Sequence, residues 1–184
     1  MAKSLATGNG VSADPDPIAE VAVSRIANGP EQLAQINAVM TVMETAFDPA
    51  YGEAWNHIQT RSMLMMPSSK LWLAYAPTDT DTSPEPSIVG FVIASGYGDE
   101  QEIMLVAVSP EWRLRGVGRT LLQAVFDDAK LAGITKLFLE MRHNNPAAHF
   151  YNSLGFTTIG RRRQYYTGND GQKYDAVTLK KSTA

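Results

Sequence analysis

Two glycines one residue apart lie among three arginines in the stretch RLRGVGRT, residues 113–120. The stretch follows the apolar run IMLVAV (103–108) and precedes LLQAVFDDA (121–129), where apolar residues recur at helical spacing. Glycines at the start of a helix leave backbone N–H groups accessible, and the helix dipole is positive at that end. Arginine side chains would add charge-assisted hydrogen bonds to an anion. The pattern therefore predicts a phosphate or pyrophosphate site at 113–119.

The same stretch has a simpler interpretation, a tight strand-to-helix turn with solvated arginines, because a single G-x-G pair is a weak signal. Two other phosphate-binding loops fit the residues poorly. A P-loop ends in Gly-Lys-Ser/Thr, which this stretch lacks, and a dinucleotide-binding fingerprint has a third glycine where Leu121 stands. An anion site of another kind and a plain turn both stay open at this point.

A second set of polar residues lies in LEMRHNNPAAHFYNSLGF, residues 139–156. Glu140 falls within an apolar strand pattern, where an ionised carboxylate is costly unless paired, and burial tends to raise the pKa of such a carboxyl towards that of a general base. The alternative for Glu140 is a structural ion pair with Arg142 or another basic group. The alternative for Tyr151, which begins an apolar stripe with Phe150, is a core position with its hydroxyl bonded to backbone.

The length and composition of the chain predict a single scaffold for these residues. A chain of 184 residues, 44% of them hydrophobic, is long enough for one core and short for two. Residues 1–17 are rich in Ala, Ser, Gly, Asp and Pro, which favours disorder. We therefore expect a disordered N-terminal arm over 1–17 and one domain over 18–184.

Hydrophobic periodicity divides this domain into strands and helices. Strand, helix and strand follow one another between 101 and 142, so we expect a parallel crossover whose helix begins at the arginine–glycine loop. The other strands are expected to pair as antiparallel hairpins, one of them through the Asn-Asp-Gly turn at 169–171. We predict strands within 20–27, 70–76, 88–98, 101–109, 135–142, 156–166 and 173–180, helices within 31–47, 52–66, 116–132 and 146–154, and a polar linker at 77–87.

Composition excludes several kinds of chemistry. The chain has no cysteine, which excludes disulfides, thiolate metal sites and a cysteine-linked acyl intermediate. The formal net charge of -3 disfavours a general nucleic-acid binder, so we expect no nucleic-acid partner. No apolar run reaches the roughly 18 residues of a membrane span or forms a signal peptide, so we expect a cytoplasmic protein without membrane contact. His57 has no pattern of metal ligands around it, and we expect no metal.

The block from Val106 to Phe156 combines VAV, SPEW, RLRGVGR, a helix, the LE strand, an asparagine, an aromatic-Tyr pair and LGF. In this combination it resembles the GNAT superfamily of acetyl-CoA-dependent N-acetyltransferases. The ending GRRRQYYTGNDGQKYDAVTL, residues 160–179, further resembles the RimI type, which acetylates the N-terminal alanine of a ribosomal small-subunit protein. The resemblance implies an α/β (α+β) fold: a mixed, mostly antiparallel central sheet with helices on both faces and a β-α-β crossover that binds acetyl-CoA.

The resemblance also implies roles for individual residues. Glu140 would act as general base and Tyr151 as general acid for the departing thiolate, with an asparagine bound to the cofactor between them. Backbone groups of Val106, Ala107 and Val108 would bind the acetyl-pantetheine arm. The pyrophosphate of acetyl-CoA would lie on residues 113–119, which are Arg113, Leu114, Arg115, Gly116, Val117, Gly118 and Arg119.

The spacing of the second motif departs from the family pattern. The family has four residues between the glutamate and the asparagine and six between the asparagine and the tyrosine, and this chain is one residue short. Asn145 fits when counted forward from Glu140, whereas Asn144 fits when counted back from Tyr151. Both asparagines therefore stay candidates for the cofactor contact.

The function that this resemblance implies is acetyl transfer from acetyl-CoA to a primary amine. The leading acceptor is the N-terminal α-amino group of a protein, with a ribosomal small-subunit protein as the first candidate. Tyr165 and Tyr166 would line the peptide site, unless they only pack within their strand. The shortened spacing leaves His143 and His149 as alternatives to Glu140.

Two other functions remain open on the same residues. One is acetylation of a small amine such as a polyamine, an aminoglycoside or an amino acid. The other is an acyl-CoA-binding module without turnover, which would keep the 113–119 loop and lose the base and the acid. We expect a monomer or a homodimer, with the strand at 173–180 as the sheet edge available for pairing.

Overall fold

The computed structural model describes residues 21–76 and 86–183. The arm expected at 1–17 and most of the linker predicted at 77–87 lie outside the described residues. The division into an arm and a single domain over 18–184 stays a prediction.

Seven described strands form one sheet in which all neighbours are antiparallel except one pair. The strands are β1 (Ala22–Ile26), β2 (Ser69–Tyr75), β3 (Ile88–Tyr97), β4 (Glu100–Val108), β5 (Lys136–Arg142), β6 (Thr157–Thr167) and β7 (Lys173–Ser182). Their order across the sheet is β1-β2-β3-β4-β5-β7-β6, and β4 and β5 are the parallel pair. The predicted mixed, mostly antiparallel sheet with a strand–helix–strand crossover is confirmed.

The described helices follow the predicted order with two differences in their limits. They are α1 (Pro30–Ala34), α2 (Ile36–Ala46), α3 (His57–Leu64), α4 (Val117–Leu131) and α5 (Ala148–Ser153). The helix predicted at 31–47 is interrupted at Gln35, which ends α1 and begins α2. The helix predicted at 52–66 begins only at His57, because Asn56 and Gln59 form a capping box there.

Alternation along the inner strands gives the sheet two apolar faces. On β2, Trp72 and Ala74 belong to one core, whereas Leu71 and Leu73 belong to the other. The first core includes the buried stripe of α4, and the second includes three buried residues of α2 and Leu64 of α3. Helices therefore cover both faces of the sheet, as predicted.

The parallel pair separates along its length. Its ladder joins Glu100–Ile103 of β4 to Lys136–Leu139 of β5, and within the described chain the two strands do not pair beyond these residues. Strand β4 continues to Val108 and stays paired with β3, while β5 continues to Arg142 and stays paired with β7. The sheet therefore opens between the carboxyl ends of β4 and β5.

Strand β7 lies between β5 and β6, so the expectation of a free edge at 173–180 is wrong. Periodicity marked this segment as a strand but carried no information on its neighbours. The described edge strands are β1 and β6. No described helix is both long and apolar enough to cross a membrane.

Two leucines of α4 test how far this core stabilises the fold. Leu121 is fully buried, whereas Leu131 on the same helix is 90% exposed. We expect Leu121→Ala to lower the free energy of unfolding by about 2–5 kcal/mol, because it leaves a cavity in the core, and Leu131→Ala to lower it by less than about 1 kcal/mol. Urea unfolding of both variants measures the difference, and equal losses would contradict the packing described here.

Candidate active site

Two adjoining cavities lie in the opening between β4 and β5. The larger has a volume of about 820 Å³ and the smaller about 280 Å³. Five residues line both cavities and therefore mark where they meet: Phe47, Glu53, Val106, Asn145 and Tyr151.

The larger cavity contains the predicted anion loop. Gly116 precedes α4 with a φ of 84°, a left-handed conformation that glycine adopts easily, and no described side chain caps the helix. The backbone N–H groups of the first turn of α4 are therefore available to a ligand. The lining includes six of the seven predicted loop residues, Arg113, Leu114, Gly116, Val117, Gly118 and Arg119, together with Val106, Ala107 and Val108 of β4.

The three arginines of the loop differ in their contacts. Arg113 donates hydrogen bonds to the backbone oxygens of Val108, at 3.2 Å, and Ala46, at 2.5 Å. Arg119 lines the cavity and donates to Ser153 Oγ at 3.2 Å. The guanidinium of Arg115 lies 5.4 Å from the centre of the Trp112 ring and does not line the cavity. Arg113 thus connects the loop to α2 through a hydrogen bond and also adds positive charge to the cavity.

Both candidate asparagines lie at the larger cavity. Asn144 Oδ1 accepts a hydrogen bond from Arg142, whereas Asn145 Oδ1 accepts from the backbone N–H of Ala147 at 2.9 Å. Asn145 also lines the smaller cavity, and Asn144 does not. Of the two asparagines, Asn145 is therefore the one that lies where the cavities meet, and it is also the residue that fits when counted forward from Glu140.

Glu140 lines only the smaller cavity, and three side chains donate to it. Arg162 donates to Oε2 through both Nε and Nη2, Thr178 donates to the same oxygen at 3.4 Å, and Tyr166 donates to Oε1 at 3.4 Å. The ion-pair interpretation of Glu140 is therefore correct for another basic group, Arg162, and not for Arg142. An ion pair does not by itself exclude a catalytic role.

Arg142 is paired with a carboxylate that the sequence did not single out. Its Nε donates to Glu53 Oε1 at 3.2 Å, and its guanidinium lies 3.5 Å from the centre of the Tyr51 ring. Arg142 is only 3% exposed, so this pairing offsets the cost of burying its charge.

Tyr151 lies where the two cavities meet. Its ring packs against Phe150 and Phe156, with centroid distances of 5.4 and 6.0 Å. Burial, and secondarily the charge of Glu53, raises the pKa of Tyr151 to about 12. The phenol therefore keeps its proton at neutral pH and can donate it.

The other predicted polar residues divide between the cavity and the surface. Tyr166 lines the smaller cavity, and burial followed by the charges of Glu140 and Glu53 raises its pKa. Tyr165 lines neither cavity and is 51% exposed, with the Arg162 guanidinium 3.7 Å from its ring centre. His143 and His149 are exposed and line neither cavity. Among the described residues, no three His, Asp or Glu side chains gather as a metal site requires.

The larger cavity is lined by arginines and glycines, the smaller one is lined by carboxylates, and the two meet at Tyr151. A comparison with known protein families agrees with this arrangement. The model described as the acetyltransferase (GNAT) family matches residues 40–156. The chain belongs to this family. The match begins within α2 and continues past α5, so it includes the residues at which the two cavities meet.

Two curated GNAT relatives are ribosomal protein bS18-alanine N-acetyltransferases. The Escherichia coli K12 protein is 37% identical over 93 residues, which are 50% of this chain and 62% of that protein. The Haemophilus ducreyi protein is 33% identical over 96 residues, which are 52% of this chain and 66% of that protein. The matched segment thus spans somewhat less than two thirds of each relative.

Two solved structures extend the comparison. The Escherichia coli ribosomal-protein-S18-alanine N-acetyltransferase has a TM-score of 0.74 at 24% identity, over 90% of this chain and 95% of that chain, and supports the fold. Nourseothricin acetyltransferase has a TM-score of 0.54 at 31% identity, over 64% of this chain and 67% of that chain. This GNAT chain therefore resembles enzymes named for a protein acceptor and for a small-molecule acceptor.

The residue that the sequence analysis missed is Glu53. It stands in GEAW, within a segment that periodicity assigned to a helix, and a single acidic residue there carries no pattern. The structure places it in the connection before α3, at both cavities. The capping pair Asn56 and Gln59 was the available signal that residues 52–55 precede the helix.

The raised pKa of Tyr151 predicts a specific loss of stability in alkali. Below about pH 10 both folded and unfolded states keep the phenol proton, but above it only the folded state does, so the free energy of unfolding falls until about pH 12. Tyr151→Phe lacks this contribution, and its alkaline loss should be smaller by about 1 kcal/mol at pH 11.

Urea unfolding between about pH 9 and pH 11 measures this difference. Tyr97→Phe is the matched control, because the Tyr97 ring is 94% exposed, and it should follow the wild-type profile. Parallel profiles for Tyr151→Phe and the wild type would show that the phenol is not buried.

Proposed function

We propose that this chain is an acetyl-CoA-dependent N-acetyltransferase acting on the N-terminal α-amino group of a protein, with a ribosomal small-subunit protein as the first candidate. The observation that carries the proposal is the meeting of two chemically different cavities at Tyr151. One side offers arginines and free helix N–H groups, which suit a pyrophosphate, and the other offers carboxylates, which suit an ammonium group. The names of the relatives support the choice of acceptor.

The residues of the larger cavity fit acetyl-CoA, which when bound supplies the thioester. The first turn of α4 and the side chains of Arg113 and Arg119 would hold the pyrophosphate, as predicted for 113–119. Residues 106–108 have no ladder partner on the β5 side, so their backbone groups are available to the pantetheine arm. Asn145 would bind the arm beside Tyr151. Arg115, which lies on Trp112, would contribute only long-range charge.

Tyr151 is proposed as the general acid. Its phenol holds a proton across the neutral range, as a tyrosine with the ordinary pKa of about 10 also does, and burial raises this pKa to about 12. A positioned donor of this kind protonates the departing sulfur as the bond breaks. Backbone N–H groups of β4 near Val108 would stabilise the oxyanion.

A carboxylate must take the proton of the acceptor's ammonium group, and the smaller cavity has two, Glu53 and Glu140. Reference pKa values set the cost of forming the neutral amine at pH 7 at about 1 kcal/mol for an α-amino group and about 4.6 kcal/mol for a lysine. One carboxylate therefore suffices more easily for a protein N-terminus than for a lysine side chain. The assignment of Glu140 as base stays a prediction.

A small-molecule amine is the second candidate acceptor. The 31% identity with nourseothricin acetyltransferase favours it. Tyr166, which lines the smaller cavity, and exposed Tyr165 next to it in the chain instead suit a peptide that extends beyond the cavity. A non-catalytic acyl-CoA-binding module would not need a protonated tyrosine at the junction.

The cellular setting follows from the same proposal. A ribosomal acceptor requires a cytoplasmic enzyme, and neither a metal nor a nucleic-acid partner is part of the proposed reaction. The chain would act as a monomer or a homodimer.

Acceptor choice is tested by intact-mass detection of acetyl transfer from acetyl-CoA. We expect a peptide that begins with Ala and copies a ribosomal small-subunit N-terminus to gain one acetyl group, because its α-amine is readily deprotonated. An N-terminally blocked copy with an internal lysine is the control and should stay unmodified. Transfer to a polyamine or an aminoglycoside with none to the free peptide would favour the small-molecule function.

The acid role is tested with Tyr151→Phe. This change removes the hydroxyl and keeps the ring packing, so we expect kcat to fall by about 100-fold or more. The Kd of acetyl-CoA from calorimetry should stay within about twofold of the wild type, because the phenol contributes to the reaction more than to binding. An unchanged kcat would remove the acid assignment.

A further inference from the structure

Glu53 occupies the position where an acceptor must meet the acyl donor. It lies in the connection between the short helical turn at Pro49–Tyr51 and α3, and its side chain is 17% exposed. It lines both cavities, whereas Glu140 lines only the smaller one. Of the two carboxylates, Glu53 is therefore the one that can contact groups in either cavity.

The two carboxylates also differ in how many of their oxygens accept hydrogen bonds from described residues. Glu53 Oε1 accepts from Arg142, and no described residue donates to its Oε2. Both oxygens of Glu140 accept, from Arg162, Thr178 and Tyr166. A new donor such as an ammonium group can therefore bind Glu53 without displacing a partner, whereas at Glu140 it must compete with a guanidinium.

We propose that Glu53 is the carboxylate that binds the acceptor's ammonium group and takes its proton. The inference rests on the acetyl-transfer function proposed above and names the residue that receives the acceptor. In the step, one N–H bond of the ammonium group breaks and an O–H bond forms at Glu53 Oε2. The products are a neutral amine, whose lone pair is free to attack, and a neutral carboxylic acid.

Arg142 is the residue that positions Glu53. Its buried guanidinium is fixed over the Tyr51 ring and also donates to Asn144, so the bond from its Nε holds the Glu53 carboxylate in one orientation.

The pKa shifts of two tyrosines agree with a position of Glu53 close to Tyr151, the proposed acid. The charge of Glu53 contributes to the raised pKa of both Tyr151 and Tyr166, whereas Glu140 contributes to that of Tyr166 and not to that of Tyr151. The carboxylate that acts on the proposed acid is therefore Glu53. An acid and a base on either side of one junction suit an amine that attacks while a thiolate leaves.

Glu140 then has a positioning role. It accepts hydrogen bonds from the guanidinium of Arg162 and from the hydroxyl of Tyr166, which lines the smaller cavity. Its loss should change how the acceptor binds more than how its proton is removed.

The test uses the full chain with acetyl-CoA and the Ala-starting peptide, and compares Glu53→Gln with Glu140→Gln. Glutamine at position 53 can still accept the Arg142 hydrogen bond but takes no proton. We expect its kcat/KM at pH 7 to fall by about tenfold or more, with a lower kcat, because only about a tenth of an α-amine whose pKa is near 8 is neutral at that pH. Glu140→Gln should chiefly raise KM. Glu44→Gln is the control, because Glu44 is an exposed carboxylate of α2 that lines neither cavity, and it should match the wild type.

The pH profile separates loss of a base from loss of structure. In Glu53→Gln only the neutral amine should react, so kcat/KM should rise about tenfold per pH unit up to the α-amine pKa of about 8. The wild type should be less dependent on pH near neutrality. The Kd of acetyl-CoA should stay as in the wild type, whereas the Tm should fall, because buried Arg142 loses its charged partner. Glu53→Asp, which keeps a carboxylate, should retain more activity than Glu53→Gln.

Three results would overturn the inference while leaving the proposed function intact. They are wild-type kcat/KM in Glu53→Gln, a loss of kcat confined to Glu140→Gln, and a loss in Glu53→Gln that is accompanied by weaker acetyl-CoA binding. A wild-type enzyme that acetylates none of the amines tested would instead overturn the proposed function, and the role of Glu53 with it.

Discussion

The separation of β4 from β5 is the constraint on which the rest of the site depends. Parallel strands that pair only over Glu100–Ile103 and Lys136–Leu139 leave backbone groups and side chains uncovered beyond that point. The loop before α4 closes one side of the opening, and residues 47–55 close the other. Because both cavities fill one opening, they meet at Val106 and Tyr151, and a ligand in one can contact a ligand in the other.

Charge within this opening is divided between two ion pairs. Glu53 is paired with Arg142, and Glu140 with Arg162, so each carboxylate has its own guanidinium. Burying such groups is costly, and the aromatic ring of Tyr51 together with several hydrogen bonds offsets part of that cost. Both carboxylates line the smaller cavity and neither guanidinium does, whereas Arg113, Arg119 and the N-terminus of α4 line the larger one. This polarity suits a reaction between an ammonium-bearing acceptor and a phosphate-bearing donor.

Local features of the structure followed the sequence closely. The buried stripe of α4, its start after Gly116 and the alternation along β2 each depend on side chains within one element, which periodicity reports directly. Two errors also had local causes. Periodicity alone predicted a helix across 52–66, although the Asn56–Gln59 capping box begins α3 at His57. Periodicity also predicted one helix across 31–47 and missed the break at Gln35. The third error, a free edge at 173–180, arose because periodicity does not specify strand neighbours.

The sequence by itself determined which elements form, that an arginine–glycine turn precedes a helix, and that a glutamate and a tyrosine follow on the next strand and helix. These depend on contacts between residues near one another in the chain. Only the tertiary structure decided which charges pair and which side chains share a cavity. Glu53 lies 89 positions from Arg142 and Glu140 lies 22 from Arg162, so both pairs exist only because the sheet order and the opening between β4 and β5 bring distant segments together.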